Sequence, residues 1–360
     1  MTRQRLPVLV CSLATFGLYV SSLLTTGCGS NSSSQLKNNT ITDVYVAGWE
    51  NSSPDSSAVS LAKYWKNGNA VVLSEKPSRA SFIAVSGNDV YVAGQVAGSN
   101  HDIAVYWKNG VEIDLTDGSN EAGANSIFVQ GTDVYVAGQD GAAAMYWKNG
   151  MPVVLDANAT VSNIVVLGAD VYVAGWKYKT TQIDSTHSVV YPVALYWKNE
   201  TEVELSDGTV TAYANAIFLS GGEVYVAGAT SSATYATDLI PTYWKNGAAV
   251  RLAGNSDFNW ATGIWTNGTD VYVAGNDVNP NNRLYAATSW KDGTRGDLWS
   301  GDEVSRASQV TVVGTDVYIS GDSSVNGGVQ RAGYWENGQR VNLSSDTDQA
   351  SATSIVVVSH

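Results

Sequence analysis

Residues 133–150 read DVYVAGQDGAAAMYWKNG, and repeats of this two-part motif organise the chain. The first half recurs seven times at spacings of 37 to 53 residues, and a stretch containing Trp and ending in a KNG-like turn follows each copy. The copies begin at Asp43, Asp89, Asp133, Asp170, Glu223, Asp270 and Asp316, with their tryptophans at Trp65, Trp107, Trp147, Trp197, Trp244, Trp290 and Trp335. Such self-similarity is typical of a solenoid, a propeller or an array.

Each repeat predicts four short β-strands, which we name A to D in chain order. DVYVAG, strand B, alternates β-branched and aromatic residues at period two. Strand C ends in Asn-Gly, which favours a type I′ hairpin turn because both central residues need positive φ, and a Val-x-Leu strand D follows. Strand A has the outline AxxIxVxG and is expected at 80–87, 124–131, 161–168, 214–221, 261–268 and 307–314.

The first repeat has no strand A, but the last residues of the chain can supply one. Residues 352–359 (ATSIVVVS) match the strand A pattern and have no strand B after them. We therefore predict that this segment pairs with residues 43–48 and closes a ring, because a closed propeller leaves no unpaired sheet edge at its termini. The predicted fold is an all-β, seven-bladed β-propeller with four antiparallel strands per blade, spanning residues 41–360.

These repeats loosely resemble those of HAF-type bacterial extracellular repeat proteins. In that family an AxxI strand, a glycine-centred strand and a W-x-N-G turn recur in this order, and the resemblance covers about residues 41–360. The His-Ala-Phe of the family is absent, and Tyr-Trp takes its place. The resemblance implies the propeller fold and transfers no functional residue.

The first 27 residues predict a secretory signal peptide. Arg3 and Arg5 precede an apolar run that ends in small residues, which is the order of a signal rather than of a membrane-spanning helix. The sequence LTTGC at residues 24–28 resembles the lipobox of bacterial lipoproteins, with Thr25 where an apolar residue is usual. The resemblance implies lipidation of Cys28, and Gly29 after it implies retention at the outer membrane, on the periplasmic side or at the cell surface. Residues 28–40 are rich in Ser and Asn and predict a flexible tether.

Composition excludes several classes of function. Removal of Arg3 and Arg5 with the signal leaves 18 basic residues against 33 acidic ones, a formal charge of −15 that disfavours nucleic acid. Cys11 is removed as well, so the mature chain can form neither an internal disulfide nor a thiolate metal site. No cofactor or metal is expected, and the expected state is a monomer.

Four repeated or conspicuous features have structural interpretations. The repeat tryptophans are expected to pack between adjacent blades, because a position present in every copy serves repeat-to-repeat contacts. The acidic residue that opens each strand B is expected to bond its own backbone in the A to B turn rather than to join a cation-binding ring. Glu200 replaces the turn glycine of blade 4, so that this turn is either strained or of another type. Arg295-Gly296-Asp297 is expected in a strand D, not at an adhesive loop tip.

The variable B to C loops indicate where a ligand would bind, because rigid scaffolds concentrate function in their loops. Propeller geometry places these loops and the D to A loops on one face, which we call the variable face. Non-repeat aromatics occur there, among them Tyr191, Tyr235 and Tyr285, and the position after VAG is expected near the mouth of the central channel. The candidate ligand-binding residues are Trp49, Gln95, Gln139, Trp176, Tyr178, Tyr213, Trp260, Asn276 and Asp322.

Three hypotheses of function follow. The first is a lipid-anchored, non-enzymatic module that binds a glycan, peptide or protein on the variable face, since Trp and Tyr beside amides suit such surfaces. The second is a carbohydrate-active enzyme that uses two carboxylates. The third is a scaffold for envelope assembly. The sequence has no HExxH, GxSxG or P-loop motif, which favours the first over the second. The loop carboxylates available to an enzyme are Asp184, Asp238, Asp257, Asp277 and Asp322.

Overall fold

A computed structural model describes residues 42–55, 57–232, 238–254, 259–279, 281–298, 303–325 and 328–360. Within these ranges the chain forms 28 β-strands, arranged as seven four-stranded antiparallel sheets, and no helix. No helix long and apolar enough to span a membrane occurs in this part of the chain. The predicted signal peptide, Cys28 and the tether lie outside the described residues.

Each sheet is one blade, and its strands lie side by side in the order A, B, C, D. Blade 1 consists of β28 (Ala350–Ser359), β1 (Thr42–Asn51), β2 (Ser60–Lys66) and β3 (Asn69–Val72). Blade 2 consists of β4 (Ser78–Ser86), β5 (Asp89–Ala97), β6 (Asp102–Lys108) and β7 (Val111–Asp114). Blade 3 consists of β8 (Ala122–Gln130), β9 (Asp133–Asp140), β10 (Ala143–Lys148) and β11 (Met151–Asp156).

Blade 4 contains the longest hairpin. It consists of β12 (Ala159–Leu167), β13 (Asp170–Gln182), β14 (Ser188–Lys198) and β15 (Thr201–Glu204). Blade 5 consists of β16 (Ala212–Ser220), β17 (Glu223–Ser231), β18 (Leu239–Lys245) and β19 (Ala248–Arg251). Blade 6 consists of β20 (Trp260–Thr266), β21 (Val271–Val278), β22 (Tyr285–Lys291) and β23 (Thr294–Asp297). Blade 7 consists of β24 (Glu303–Val313), β25 (Asp316–Val325), β26 (Arg331–Glu336) and β27 (Gln339–Asn342).

The predicted closure of the ring is confirmed. β28 is the strand A of blade 1 and pairs antiparallel with β1 from Thr42↔Ser359 to Glu50↔Ala350. Arg295-Gly296-Asp297 lies in β23, a strand D, as predicted.

The hydrophobic core lies between blades rather than within them. Each of the seven core clusters combines residues of two adjacent blades; the cluster around Trp147, for example, joins Tyr91 and Ala93 of blade 2 to Ile127 and Val136 of blade 3. All seven repeat tryptophans are buried, with at most 3% of their surface exposed. The predicted role of the tryptophans as packing residues between blades is therefore confirmed.

A β-bulge occurs at the same place in every blade. In blade 2, the register between β4 and β5 shifts between Ala80 and Phe82, so that Ser81 has no partner on β5. The glycine of VAG makes this close approach possible, because a Cβ atom on Gly94 would lie 2.1 Å from the carbonyl oxygen of Arg79. The seven residues at the bulge are Ser81, Asn125, Ser162, Asn215, Thr262, Ser308 and Thr353.

The acidic residue at the start of strand B joins the two turns of its blade, so the prediction that it bonds its own backbone is wrong. Asp133 Oδ1 accepts a hydrogen bond of 2.9 Å from Asn149 Nδ2, and its Oδ2 lies 3.1 Å from Lys148 Nζ. Asn149 Oδ1 in turn accepts from the backbone N–H of Val134 at 2.8 Å. The reason is geometric, since antiparallel pairing brings the C to D turn beside the A to B turn. We call this arrangement the Asp–Lys–Asn clamp.

Four blades depart from the repeat at these turns: Glu223 replaces the aspartate in blade 5, Asp292 replaces the asparagine in blade 6, and blades 4 and 7 differ as follows. Glu200 keeps the turn of the other blades with φ of 68°, so the strained alternative is the correct one. In blade 7, Glu336 replaces the clamp lysine and accepts a hydrogen bond from the Tyr318 hydroxyl at 3.1 Å. Burial, together with the charge of Glu336, raises the pKa of Tyr318 to about 12.

Candidate ligand-binding site

The seven A strands line a central cavity of about 420 Å³. Strand A runs from the variable face towards the A to B turns. Residues later in each strand A therefore line the cavity further from the variable face. The bulge residues form a polar ring nearer the variable face. Three residues further along, Ala84, Phe128, Val165, Phe218, Trp265, Thr311 and Val356 form a mostly apolar ring nearer the opposite face. No charged side chain is among the described residues that line the cavity.

The residue after VAG contacts the start of strand A in the next blade. Trp49 of blade 1 lies under the guanidinium of Arg79 in blade 2, 4.9 Å from the ring centroid. Trp176 of blade 4 meets Tyr213 of blade 5 edge to face, with 5.2 Å between ring centroids. Strand A continues from its first residues into the cavity wall. The residues after VAG and the first residues of each strand A therefore lie around the mouth of the cavity on the variable face, and we call them the rim.

Aromatic side chains dominate the rim at blades 4 to 6. Trp176 contacts Tyr178 as well as Tyr213, at a centroid distance of 5.6 Å, and 63% of the Tyr178 surface is exposed. Trp260 of blade 6 lies 5.8 Å from Tyr285 on the same blade. These side chains remain partly accessible, because Trp176, Tyr213 and Trp260 are only half-buried.

Arginine side chains mark the rim at blades 7 and 2. Arg306 lies 5.7 Å from the Tyr285 ring centroid and 3.7 Å from the carboxylate of Asp322. Arg79 lines a groove of about 300 Å³ together with Ser60, Gln95 and Asp102. These groups supply hydrogen-bond donors and acceptors beside the aromatic faces.

Some predicted residues have roles in joining blades. Asn276 is buried, and its amide exchanges hydrogen bonds with the backbone of Ala307 in blade 7, accepting at 2.9 Å and donating at 3.4 Å. Asp322 is buried and accepts from the Ser351 hydroxyl at 2.8 Å, and burial raises the pKa of its carboxyl. Both residues therefore stabilise blade junctions and are shielded from a ligand.

The two glutamines remain at the rim. Gln95 Nε2 donates to Asp102 Oδ2 at 2.5 Å, and its Oε1 lies where a Cβ atom on Gly123 would approach to 2.9 Å. Gln139 is half-buried and is the register partner of the same glycine. Gly123 thus leaves room for the Gln95 amide.

Three of the carboxylates considered for catalysis, Asp184, Asp277 and Asp322, lie on different blades, each with its own partners. Asp184 accepts hydrogen bonds from Thr186 and His187 in its own loop, which lower its pKa to about 2. Asp277 is fully buried and lies 3.0 Å from Arg295 Nη2. Asp238 forms a loop contact through its backbone carbonyl, while Asp257 and the loop residue Tyr235 lie outside the described residues. In the described ranges, no three His, Cys, Asp or Glu side chains form a group that could hold a metal ion.

The prediction from sequence missed the polar ring of the cavity and the rim arginines. The polar ring was visible in the sequence, since Ser, Thr or Asn follows the first alanine or valine of every AxxI-like segment. Arg79 and Arg306 stand two residues before this position. The bulge that turns it into the cavity was not foreseen, because strand pairing is needed to detect it.

The chain matches no protein-family model and no curated protein. Among solved structures, it is similar to the β-propeller domain of the Trilobed protease from Pyrococcus furiosus, with a TM-score of 0.53 and 9% identity over 84% of this chain and 94% of that one. That domain is described as having an open velcro topology, whereas β28 closes the ring here.

Two further structures show weaker similarity. They are the tricorn protease (TM-score 0.48, 8% identity, 88% of this chain and 36% of that one) and the Pyrococcus horikoshii acylaminoacyl peptidase (TM-score 0.46, 13% identity, 74% and 46%). The chain thus spans less than half the length of either. At 9% identity, the similarity to the Trilobed protease domain concerns the fold alone, and the seven sheets of this chain make that fold a seven-bladed β-propeller.

Proposed function

We propose that this protein is a lipid-anchored, extracytoplasmic propeller that binds a glycan at the rim of its variable face without catalysing a reaction. The observation that carries the proposal is the accessible aromatic group of blades 4 to 6, formed by Trp176, Tyr178, Tyr213, Trp260 and Tyr285. Aromatic faces contact the C–H groups of sugar rings, and side-chain donors and acceptors beside them bond the hydroxyls. A peptide or another protein is the alternative ligand for the same surface.

The polar part of such a site is supplied by neighbouring rim residues. Arg79 can donate hydrogen bonds, Asp102 can accept them, and both line one groove with Gln95. A donor and an acceptor in one groove suit adjacent hydroxyl groups of a sugar. The rim therefore combines the two kinds of contact that carbohydrate recognition requires.

The cellular location is part of the same proposal. The order of the first 27 residues and the LTTGC segment support export and lipidation of Cys28, and the net negative charge is compatible with a protein held to the membrane by its lipid rather than by its surface. We infer an outer-membrane lipoprotein, on the periplasmic side or at the cell surface.

A glycan array followed by titration of the strongest ligand tests the binding proposal. Trp176→Ala and Trp260→Ala should each weaken binding about tenfold, as expected when one stacking aromatic is lost. Trp176→Phe should retain most of the affinity. Val111→Ala is the matched control, because Val111 is an exposed apolar residue on an outer strand D and should leave affinity unchanged.

Other outcomes identify the alternatives. Binding that both tryptophan variants retain would place the ligand elsewhere. Release of shorter saccharides that Asp184→Asn abolishes would favour an enzyme, because Asp184 is an exposed loop carboxylate. An array with no binding, combined with capture of one envelope protein that Trp176→Ala prevents, would assign the rim to a protein partner.

A further inference from the structure

The central cavity has a polar ring in which five of the seven side chains donate a hydrogen bond within the protein. The hydroxyls of Thr262, Ser308 and Thr353, on consecutive blades 6, 7 and 1, donate to carbonyl oxygens of the next blade at 2.9, 3.0 and 3.0 Å. A hydroxyl has one hydrogen and two lone pairs. These three residues can therefore offer only acceptors to the cavity.

The two asparagines of the ring add further acceptors. Asn125 and Asn215 each donate one of their two Nδ2 hydrogens to a carbonyl of the next blade at 2.8 Å. No donor among the described residues bonds to their Oδ1 atoms. Ser81 and Ser162 complete the ring and can accept as well as donate. The ring as a whole thus has an excess of acceptors over donors.

Below this ring the cavity is apolar and partly aromatic. Trp265 lies three residues beyond Thr262 on the same strand, with its ring 6.0 Å from that of Phe218. An aromatic face attracts a cation within about 6 Å of its centroid, and it also packs against an apolar chain.

The net negative charge of the protein favours a positively charged donor over a neutral one at the polar ring. The cavity wall has no charged side chain among the described residues, while the chain as a whole carries −13. The surrounding potential therefore favours a cation over a neutral donor and opposes an anion. A volume of about 420 Å³ is within the range of small-ligand cavities, which is about 300 to 1,000 Å³.

We propose that the central cavity binds a primary alkylammonium group, with the ammonium at the acceptor ring and the alkyl chain against the apolar ring. A free amine and a lysine side chain of a peptide share this chemistry. This site is separate from the rim, so the proposal does not depend on glycan binding.

Three probes of equal chain length test the proposal by calorimetric titration of the purified protein. n-Hexylammonium has both charge and N–H donors, n-hexyltrimethylammonium has the charge alone, and n-hexanol has one donor without charge. We expect n-hexylammonium to bind about tenfold more tightly than either of the others. A peptide with a single lysine, compared with its norleucine analogue, distinguishes a peptide ligand from a free amine.

Matched Thr→Val substitutions locate the site within the cavity. Thr262→Val in the polar ring should reduce the preference for n-hexylammonium over n-hexanol about threefold or more, and Thr262→Ser should restore it. Thr311→Val makes the same change in the apolar ring and should leave the preference intact. The ratio of two affinities on one variant is insensitive to a partly unfolded sample.

Three results would overturn the proposal. One is equal affinity for n-hexylammonium and n-hexanol in the wild type. Another is an unchanged preference in Thr262→Val, and the third is an equal loss in Thr311→Val. Each would show that the acceptor ring does not select the ligand.

Discussion

At the residue scale, stability depends on side chains that lie between blades. Trp147 is 1% exposed and contacts residues of blades 2 and 3. Trp147→Ala should lower the free energy of unfolding by about 3 to 5 kcal/mol, because large-to-small substitutions leave a cavity as well as removing apolar contact. Denaturant titration measures the change. Trp176→Ala, at the half-buried rim, should cost less than half as much, and equal losses for the two variants would contradict the packing role of Trp147.

A second residue carries backbone strain that can be relieved. Glu200 adopts φ of 68° where the equivalent Gly150 has 82°, and a side chain is disfavoured in this left-handed region. Glu200→Gly should raise the free energy of unfolding by up to about 1 kcal/mol. The larger conformational entropy of glycine in the unfolded chain offsets part of this gain. Thermal melting measures the gain. Glu202→Gly, two residues further along in β15, should destabilise; stabilisation by both would contradict a strain-based explanation.

At the element scale, the Asp–Lys–Asn clamp joins two turns of one blade and makes stability depend on pH. The hydrogen bond from Asn149 and the ion pair with Lys148 hold the pKa of Asp133 below its ordinary value of 3.8. A carboxyl with a lowered folded pKa stabilises the protein above the unfolded value, and this stabilisation is lost as pH falls through the folded value. The propeller should therefore lose stability in acid below about pH 4.

Asp133→Asn tests this link, because the amide cannot titrate. The variant should be less stable than the wild type at pH 7, and its melting temperature should fall less between pH 7 and pH 3. Asp316→Asn is the matched control, since Glu336 occupies the position of the clamp lysine in blade 7. If the melting temperature of Asp133→Asn fell between pH 7 and pH 3 by as much as that of the wild type, the Asp133 carboxyl would not contribute to the acid dependence.

The strands were predictable because each repeat has its own local signals, whereas contacts between repeats were not. Alternation in DVYVAG and the Asn-Gly turn specify strands and hairpins without knowledge of neighbours. The contact between Trp176 and Tyr213 joins residues 37 positions apart on different blades, and it depends on which face of β13 points to blade 5. The clamp was missed for a similar reason: Asp133 and Lys148 become neighbours only when strands B and C pair.

At the scale of the whole molecule, the ring is closed by backbone bonds between its ends, which was predictable from the missing strand A of the first repeat. Ser359 lies opposite Thr42, so a Gly-Asn linker could join them in the manner of the other A to B turns. A permuted chain that begins at Lys76 and ends at Glu75 would then build every blade from consecutive residues.

This permuted chain should fold to the same seven sheets but unfold faster than the linear chain 42–360. Its ends would be held by side-chain packing alone, whereas in the natural order β28 and β1 must separate before the ring opens. Unfolding rates in denaturant measure the difference. Equal rates would show that the strand shared between the termini does not contribute to kinetic stability.

The same pairing has a consequence for how the protein is made. β28 pairs with β1 across 300 or more residues of sequence, so β1 is synthesised long before the strand that covers its inner edge. A chain that stops short of Ala350 leaves that edge open to proteases and to aggregation. A fragment without β28 is therefore distinguished from the closed ring by the exposed edge of β1, before any ligand is present.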